Sequence, residues 1–349
     1  MNMMKQKLKI LSALIIIIVG SLGAYYFIGL SAPINNKETQ MITINSGSTL
    51  ENVADILIEH KLIKNKNIFL LYIKLNSIKA QAGTYQFYNN DGIPKIAKKI
   101  NDGRVYDVSY TITFIEGKTV NNYGVMYADK TDQNLGDVLK VLNDKNYLVT
   151  LIDKYWFLTA NILDSRIYYP LEGYLFPDTY NFNNDAPLKT IVDSQLKNFE
   201  KKIAPYKQYI IDNNLNVHDI ITLASIIEKE ANTPSDRLLV SGVFTNRINS
   251  NMSLGSDVTT YYAEQVEMGS VTDLNKSQYN ALNNYNTRNI NFIGLPVGPI
   301  CNPSISSIEA AIYPKDTKNM YFYADKSGNV HFATTLYEHN VNINKYGGE

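Results

Sequence analysis

The sequence predicts an α+β protein with a single apolar N-terminal helix, a small α/β module and a larger mixed α+β domain. Three observations carry that expectation. Residues 10–30 form an apolar run of the roughly 20 residues needed to cross a bilayer. Residues 41–103 then change between period-2 and period-3.6 patterning within a short stretch, as a compact strand-and-helix module does. The remaining residues, 104–349, mix helical and alternating segments with loops rich in Gly, Pro and Asn, which regular structure cannot accommodate. The division is therefore 1–9 before the span, 10–30 the span, 31–40 a polar tether, 41–103 the small module and 104–349 the large domain.

Lys5, Lys7 and Lys9 precede the apolar run, and the positive-inside rule places them in the cytoplasm. A cleaved signal peptide would show a shorter apolar region, about 7–15 residues, followed by small residues at a cleavage site. Ser31-Ala32-Pro33 is a weak match. The expectation is an uncleaved anchor in the cytoplasmic membrane, with everything after Pro33 outside it. Lys+Arg and Asp+Glu balance at 33 each, so net charge gives no reason to expect nucleic acid or a polyanionic partner. The single cysteine, Cys301, excludes an intrachain disulfide framework. With only four histidines and no pair at ligand spacing, no metal site is expected.

In the small module, Ile42-Thr43-Ile44 alternates as a strand and Ser46 to Thr49 is a turn ending in a helix cap. Leu50 to His60 is an amphipathic helix, Leu62 to Leu75 a second, Ala82 to Phe87 a strand and Pro94 to Asn101 a short helix. This strand, turn and helix grammar resembles a LysM-like glycan-binding module. In the large domain, Val105 to Glu116 reads as a long strand, and Asn134 to Leu142 and Lys189 to Ile203 as helices. Leu171 to Tyr180 crowds aromatics, an acid, a glycine and a proline together. Pro177 keeps that stretch out of a helix interior, and Glu172 either faces a ligand or caps a buried backbone amide. Asp236 to Ile248, Val258 to Gln265 and Ser304 to Ala311 are helical, and Met320 to Ala333 is a hairpin. Tyr285 to Ile300 is a long irregular segment, of the kind that is usually functional inside a compact domain.

The central element is Ile220 to Ala231, an apolar helix that ends in Glu228-Lys229-Glu230. At roughly 100° per residue, Leu223, Ala224, Ile227 and Ala231 share a face with Ile220. Glu230 falls beside Leu223 and Ile227, and Glu228 toward the opposite flank. A carboxyl held against apolar side chains has its pKa raised and can serve as a general acid near neutral pH. The alternative is a helix end whose acids meet solvent.

Six motifs in order then resemble the YceG-like (MltG-type) endolytic murein transglycosylases along nearly the whole chain after residue 33. They are Glu172 to Tyr180, Ala224 to Ala231, Phe244-Thr245-Asn246-Arg247, Ser256-Asp257, Tyr285-Asn286-Thr287 with Gly294 to Ile300, and Phe332 with Glu338-His339-Asn340. Departures from that pattern are Val258, Arg288, Val297 and Ser304, which bear on loop shape and substrate preference. The resemblance implies cleavage of the β-1,4 bond between N-acetylmuramic acid and N-acetylglucosamine, closing a 1,6-anhydro ring and terminating strand elongation.

By the same resemblance Glu230 is the catalytic acid, and Asn246, Asp257, Tyr285, Asn286, Thr287 and Glu172 are substrate-binding candidates. Glu228 is either an electrostatic neighbour of Glu230 or a surface acid. The resemblance implies peptidoglycan glycan strands and peptidoglycan synthases as partners, the membrane through residues 10–30, and no cofactor. A muramidase-type hydrolase would need a second carboxylate to activate water, with Asp257 or Glu172 available. A non-catalytic glycan-binding scaffold of the cell-wall elongation machinery is the alternative from another class.

Overall fold

The computed structural model describes residues 2–103, 109–131, 133–183, 186–267 and 274–347. Two compact units divide the chain, Met1–Val108 and Ser109–Glu349.

The first unit contains α1 (Asn2–Leu30), β1 (Thr39–Ile44), α2 (Leu50–Glu59), α3 (Lys66–Leu75), β2 (Gly83–Tyr88) and α4 (Ile93–Asn101). Strands β1 and β2 pair antiparallel with Ile42 opposite Tyr85. Alternation turns Ile42, Ile44, Tyr85 and Phe87 into one core with Val53, Leu57, Phe69 and Ile96. The Thr49 hydroxyl accepts from the Asn52 amide and so starts α2. Helix α3 begins at Lys66, later than Leu62, because the Asn65 carboxamide accepts from the Asn67 and Ile68 amides. That cap leaves Leu62 and Ile63 as buried loop residues.

Over Ile10–Leu30, α1 is long and apolar enough to cross a membrane. Large side chains on it, such as Ile16 and Phe27, are exposed. Its C-terminal end is fixed: Asn65 Nδ2 donates to the Tyr25 hydroxyl at 3.1 Å and Lys64 Nζ to Ser31 Oγ at 2.7 Å. With β1 starting at Thr39, the expected tether over 31–40 is shorter than drawn from sequence and is held at its start.

The second unit begins with β3 (Ser109–Thr113), α5 (Val120–Thr131), α6 (Leu135–Leu142) and α7 (Lys145–Lys154). It continues through β4 (Thr179–Asn183), α8 (Leu188–Ile203), α9 (Lys207–Asp212), α10 (Val217–Glu230) and α11 (Pro234–Asn249). Then come α12 (Asp257–Ala263), α13 (Lys276–Tyr279), α14 (Ile305–Ile312), β5 (Tyr321–Ala324), β6 (Val330–Ala333) and α15 (Leu336–Tyr346). β3 pairs antiparallel with β4, and β5 with β6. Of the strand expected over Val105 to Glu116, residues 105–108 lie outside the described residues, and the described part ends at Thr113.

Helix α10 stands between two hydrophobic clusters. Ile220, Ile221 and Ala224 join a large cluster with Phe157, Tyr174, Phe199 and Ile308. Leu223, Ile226 and Ile227 join a second with Val240, Phe244, Val258 and Tyr285. A helix that is apolar on all sides belongs inside a fold, and every residue of α10 from His218 to Ile227 except Asp219 is buried. Its last turn, like its first, reaches polar surroundings.

Candidate active site

That last turn splits its two acids between different corners. Glu228 turns toward α14. Its Oε2 accepts from the Ser304 amide (2.9 Å), Ser304 Oγ (2.6 Å) and Ser307 Oγ (2.7 Å), and its Oε1 from Arg237 Nη2 (3.1 Å). Ser304 is the N-cap residue of α14 without capping through its own side chain. Glu228 supplies the acceptor instead, at the helix end that favours negative charge. Its side chain is 7% exposed. It is therefore neither a surface acid nor a groove residue, but the joint between α10, α11 and α14.

Glu230 turns the other way, toward the Leu254–Asp257 turn, and is partly exposed. Ser256 Oγ donates to its Oε1 at 2.5 Å. Burial pushes the Glu230 carboxyl up to about 7; the Asp257 charge adds to the rise, while the Ser256 hydrogen bond and the Arg247 and Arg288 charges oppose it. As the last residue of α10 it also lies at the helix end that disfavours an anion. A carboxyl so placed holds a proton near neutral pH and can give it up or take it back.

The surrounding cations are fixed by the fold. Arg247, on α11, donates to the Leu254 carbonyl (2.5 Å) and the Met320 carbonyl (2.7 Å) and lies over the Tyr321 ring at 5.2 Å. Arg288 Nε is 3.2 Å from Asp257 Oδ1. His339, on α15, stacks on Tyr321 with ring centroids 5.3 Å apart. Burial, then the Arg247 and Arg288 charges, lower the His339 pKa.

The expected substrate residues sort into two groups. Asp257 is half exposed and faces Glu230's side of the turn. Tyr285, Asn286 and Thr287 are buried, and correct the expectation that they line the groove. Asn286 Nδ2 donates to the carbonyls of Gln278, Tyr279 and Ala281, and its Oδ1 accepts from Thr260 Oγ1 and the Arg288 amide. The Thr287 carbonyl accepts from the Gly255 amide and Ser253 Oγ, and its hydroxyl from the Ser256 amide. Tyr285 packs between Tyr168 and Tyr262. These three residues form the mould in which Ser256 and Asp257 are set.

Asn246 likewise points inward, donating to the Thr317 and Asn319 carbonyls and holding the chain that leads into β5. Glu172 is wholly buried and caps α5, accepting from the Val120 amide at 2.9 Å and the Tyr262 hydroxyl at 3.1 Å. Burial pushes its carboxyl up to about 8 against those donors. Of the two roles open to Glu172 from sequence, the structure shows the cap.

The Gly-Pro-rich segment is anchored to α10 at both ends. His218 Nε2 lies 2.9 Å from the Val297 carbonyl, and Ser225 Oγ accepts from the Ile300 amide. Asn302 then ties three loops together, accepting from the Gly173 and Leu175 amides and donating to the Lys118 carbonyl. Gly173 has φ of +87°, and a Cβ there would come within 2.6 Å of Ile221 and 2.7 Å of Pro299, so only glycine fits.

Sequence reasoning missed Ser256, Arg247 and Arg288 as neighbours of the acid, and His339 as a neighbour of those two arginines. Ser256 precedes Asp257 in a tight turn and Arg247 follows Asn246, so both lay beside chosen residues. His339 is brought in by α15, whose capping box of Thr335 and Glu338 is local. Among the described residues, no cluster of His, Cys, Asp and Glu is placed to hold a metal ion.

Residues 42–345 match the model of the YceG-like family. The chain is 34% identical over 318 residues to the endolytic murein transglycosylase of Bacillus subtilis (strain 168), covering 89% of this chain and 86% of that protein. It is 30% identical over 348 residues to the endolytic murein transglycosylase of Streptococcus pneumoniae serotype 2, covering 93% of this chain but only 62% of that longer protein. The crystal structure of a YceG-like protein from Listeria monocytogenes superposes with a TM-score of 0.62 at 33% identity, covering 88% of this chain and 99% of the other. With the match spanning nearly all of the chain beyond its apolar helix, this protein belongs to the YceG-like family.

Proposed function

We propose that this chain is a membrane-anchored endolytic lytic transglycosylase of peptidoglycan, with Glu230 as its single proton donor and acceptor. Membership of the family and likeness to relatives named endolytic murein transglycosylase support the enzyme class. The observation that carries the residue assignment is the carboxyl of Glu230, a residue that is itself partly exposed, pushed up to about 7 by burial and held by the Ser256 hydroxyl. Protonated Glu230 donates to the glycosidic oxygen between N-acetylmuramic acid and N-acetylglucosamine as positive charge develops at the muramic C1. The resulting carboxylate accepts the proton of the muramic C6 hydroxyl, whose oxygen closes on C1 as a 1,6-anhydro ring. One carboxyl thus serves both halves, unlike the paired carboxylates of hydrolytic glycosidases.

The Ser256 hydroxyl supports this role by fixing the Glu230 carboxyl, and its hydrogen bond steadies the carboxylate between the two proton transfers. Asp257 raises the proton affinity of the acid. Helix α1 serves as the anchor, with Ile10–Leu30 in the cytoplasmic membrane and the second unit facing the cell wall. Cleavage of nascent strands there terminates elongation, with peptidoglycan synthases as the partners that supply the strands, and the first unit serves as the LysM-like glycan-binding module.

Digestion of purified glycan strands by the full chain, followed by mass spectrometry of the new ends, tests the reading. The expected product carries 1,6-anhydromuramic ends. Reducing muramic ends would establish a hydrolase, with Asp257 activating water, and intact strands would leave a binding scaffold.

A further inference from the structure

At the end of α10 lies a cavity of about 240 Å³ whose lining includes Lys229 and not Glu230. The same two helix ends build this cavity and the acid's corner. Lys229 adjoins Glu230 at the end of α10, and Val258 follows Asp257 at the start of α12; both line the cavity. Tyr261, one helical turn after Asp257, continues that wall. Its floor is apolar, with Ile300 and Tyr262, and its rim carries Lys118, Lys229 and Asn121. The Lys118 backbone is rigidly held, because its carbonyl accepts from both the amide and the side chain of Asn302.

The charges at this rim reveal what it accepts. The exposed carboxylate of Glu267 reaches in to Lys118 Nζ at 2.9 Å. Lys118 first and Lys229 second hold the Glu267 carboxyl below its ordinary range, so both ammonium groups act on one carboxylate position. Lys229 is exposed, and among the described residues it makes no ion pair. Glu267 is thus paired with Lys118 at the edge of a cavity that Lys229 also lines.

We propose that this cavity is the subsite for the carboxylate-bearing arm of the muramyl residue next to the scissile bond, with Lys118 and Lys229 receiving the carboxylate and Glu267 competing for them. The inference rests on the glycan-cleaving reading above. The lactyl arm of muramic acid ends in a carboxylate, either its own or that of the peptide attached to it. An apolar floor beneath a cationic rim suits a short peptide better than a bare sugar, whose uncharged hydroxyls have no use for two lysines. The site would make the enzyme distinguish muramyl strands from neutral N-acetylglucosamine polymers.

Binding to the full-length Glu230→Gln protein tests this without turnover, using muramyl-peptide disaccharide, the same fragment with its carboxylates amidated, and a peptide-free muramyl disaccharide. The acidic fragment should bind roughly fivefold more tightly than the amidated one, the scale of a solvent-facing ion pair, and the preference should shrink with added salt. Adding Lys229→Gln should erase the preference, and adding Glu267→Gln should widen it. Preference retained by the peptide-free fragment assigns the site to the lactyl carboxylate; preference lost assigns it to the peptide. Equal binding of acidic and amidated fragments, or an equal loss for all ligands in Lys229→Gln, overturns the proposal. If those results accompany normal anhydro product from the wild-type chain, the subsite alone is refuted; absence of that product refutes the enzymatic reading itself.

Discussion

Glu228 and Glu230 leave the same turn of α10 and end in opposite environments. Glu228 is closed in by Arg237, Ser304 and Ser307, with every contact matched to an ionised carboxylate. Glu230 accepts from one hydroxyl and has a neighbouring acid, and burial raises its carboxyl to about 7 against the more distant Arg247 and Arg288 charges. The difference shows that a buried acid becomes chemically useful when its ionised form is under-served, and structural when it is fully served. Glu172 adds a third case. It too is pushed up, to about 8, but total burial removes it from any ligand.

The largest expected effect separates the pair by function. Glu230→Gln keeps the shape and removes the proton, so anhydro product should fall by roughly 10²–10⁴-fold, the range of general acid–base catalysis, with melting unchanged or improved above pH 7. Glu228→Gln should retain measurable turnover in whatever fraction remains folded. A Glu228→Gln protein that is folded yet inactive, beside an active Glu230→Gln, would reverse the two roles.

The next effect is on stability. Glu228→Ala strands Arg237 and uncaps α14, and chemical denaturation should show a loss of about 3 kcal/mol, typical of a broken buried pair. Asn286→Ala removes donors from three carbonyls, and should cost about 2 kcal/mol as buried acceptors go unmet, with turnover falling as Ser256 and Asp257 lose their mould. Unchanged stability in Asn286→Ala would return that residue to the groove.

Part of this contrast was legible in the sequence. Helical periodicity put Glu230 beside Leu223 and Ile227 and put Glu228 elsewhere, because side-chain direction on a helix follows from spacing alone. The partners were not legible, since Ser304 and Ser307 lie 76 and 79 residues from Glu228. Helix α5 escaped for the same reason: its first amide is capped by Glu172, 52 residues on. Tyr285 to Thr287 read as substrate-binding residues of an irregular segment, and irregular backbone needs polar partners. Here those partners are protein carbonyls and hydroxyls, so the loop is inside. Strands and caps set by adjacent residues, such as Thr49 and β1, were readable from their own segments.

The smallest effects sharpen the comparison through pH. Loss of the acid's proton should reduce activity as pH rises through about 7. Asp257→Asn removes a charge that disfavours the carboxylate, so this falling limb should move to lower pH. Ser256→Ala removes a donor that favours the carboxylate, so the limb should move to higher pH. Shifts in the same direction would mean that the limb belongs to another group. In both variants turnover at the optimum should fall only modestly, about tenfold or less, against the loss in Glu230→Gln.

The most direct test of the contrast is the ionisation of Glu230 itself. A carbon-13 carboxyl titration of the folded chain, with the Glu230 signal assigned by its absence in Glu230→Gln, should give a midpoint near 7. A midpoint at the ordinary glutamate value of about 4.3 would contradict the account, because a carboxyl already ionised at neutral pH has no proton to donate.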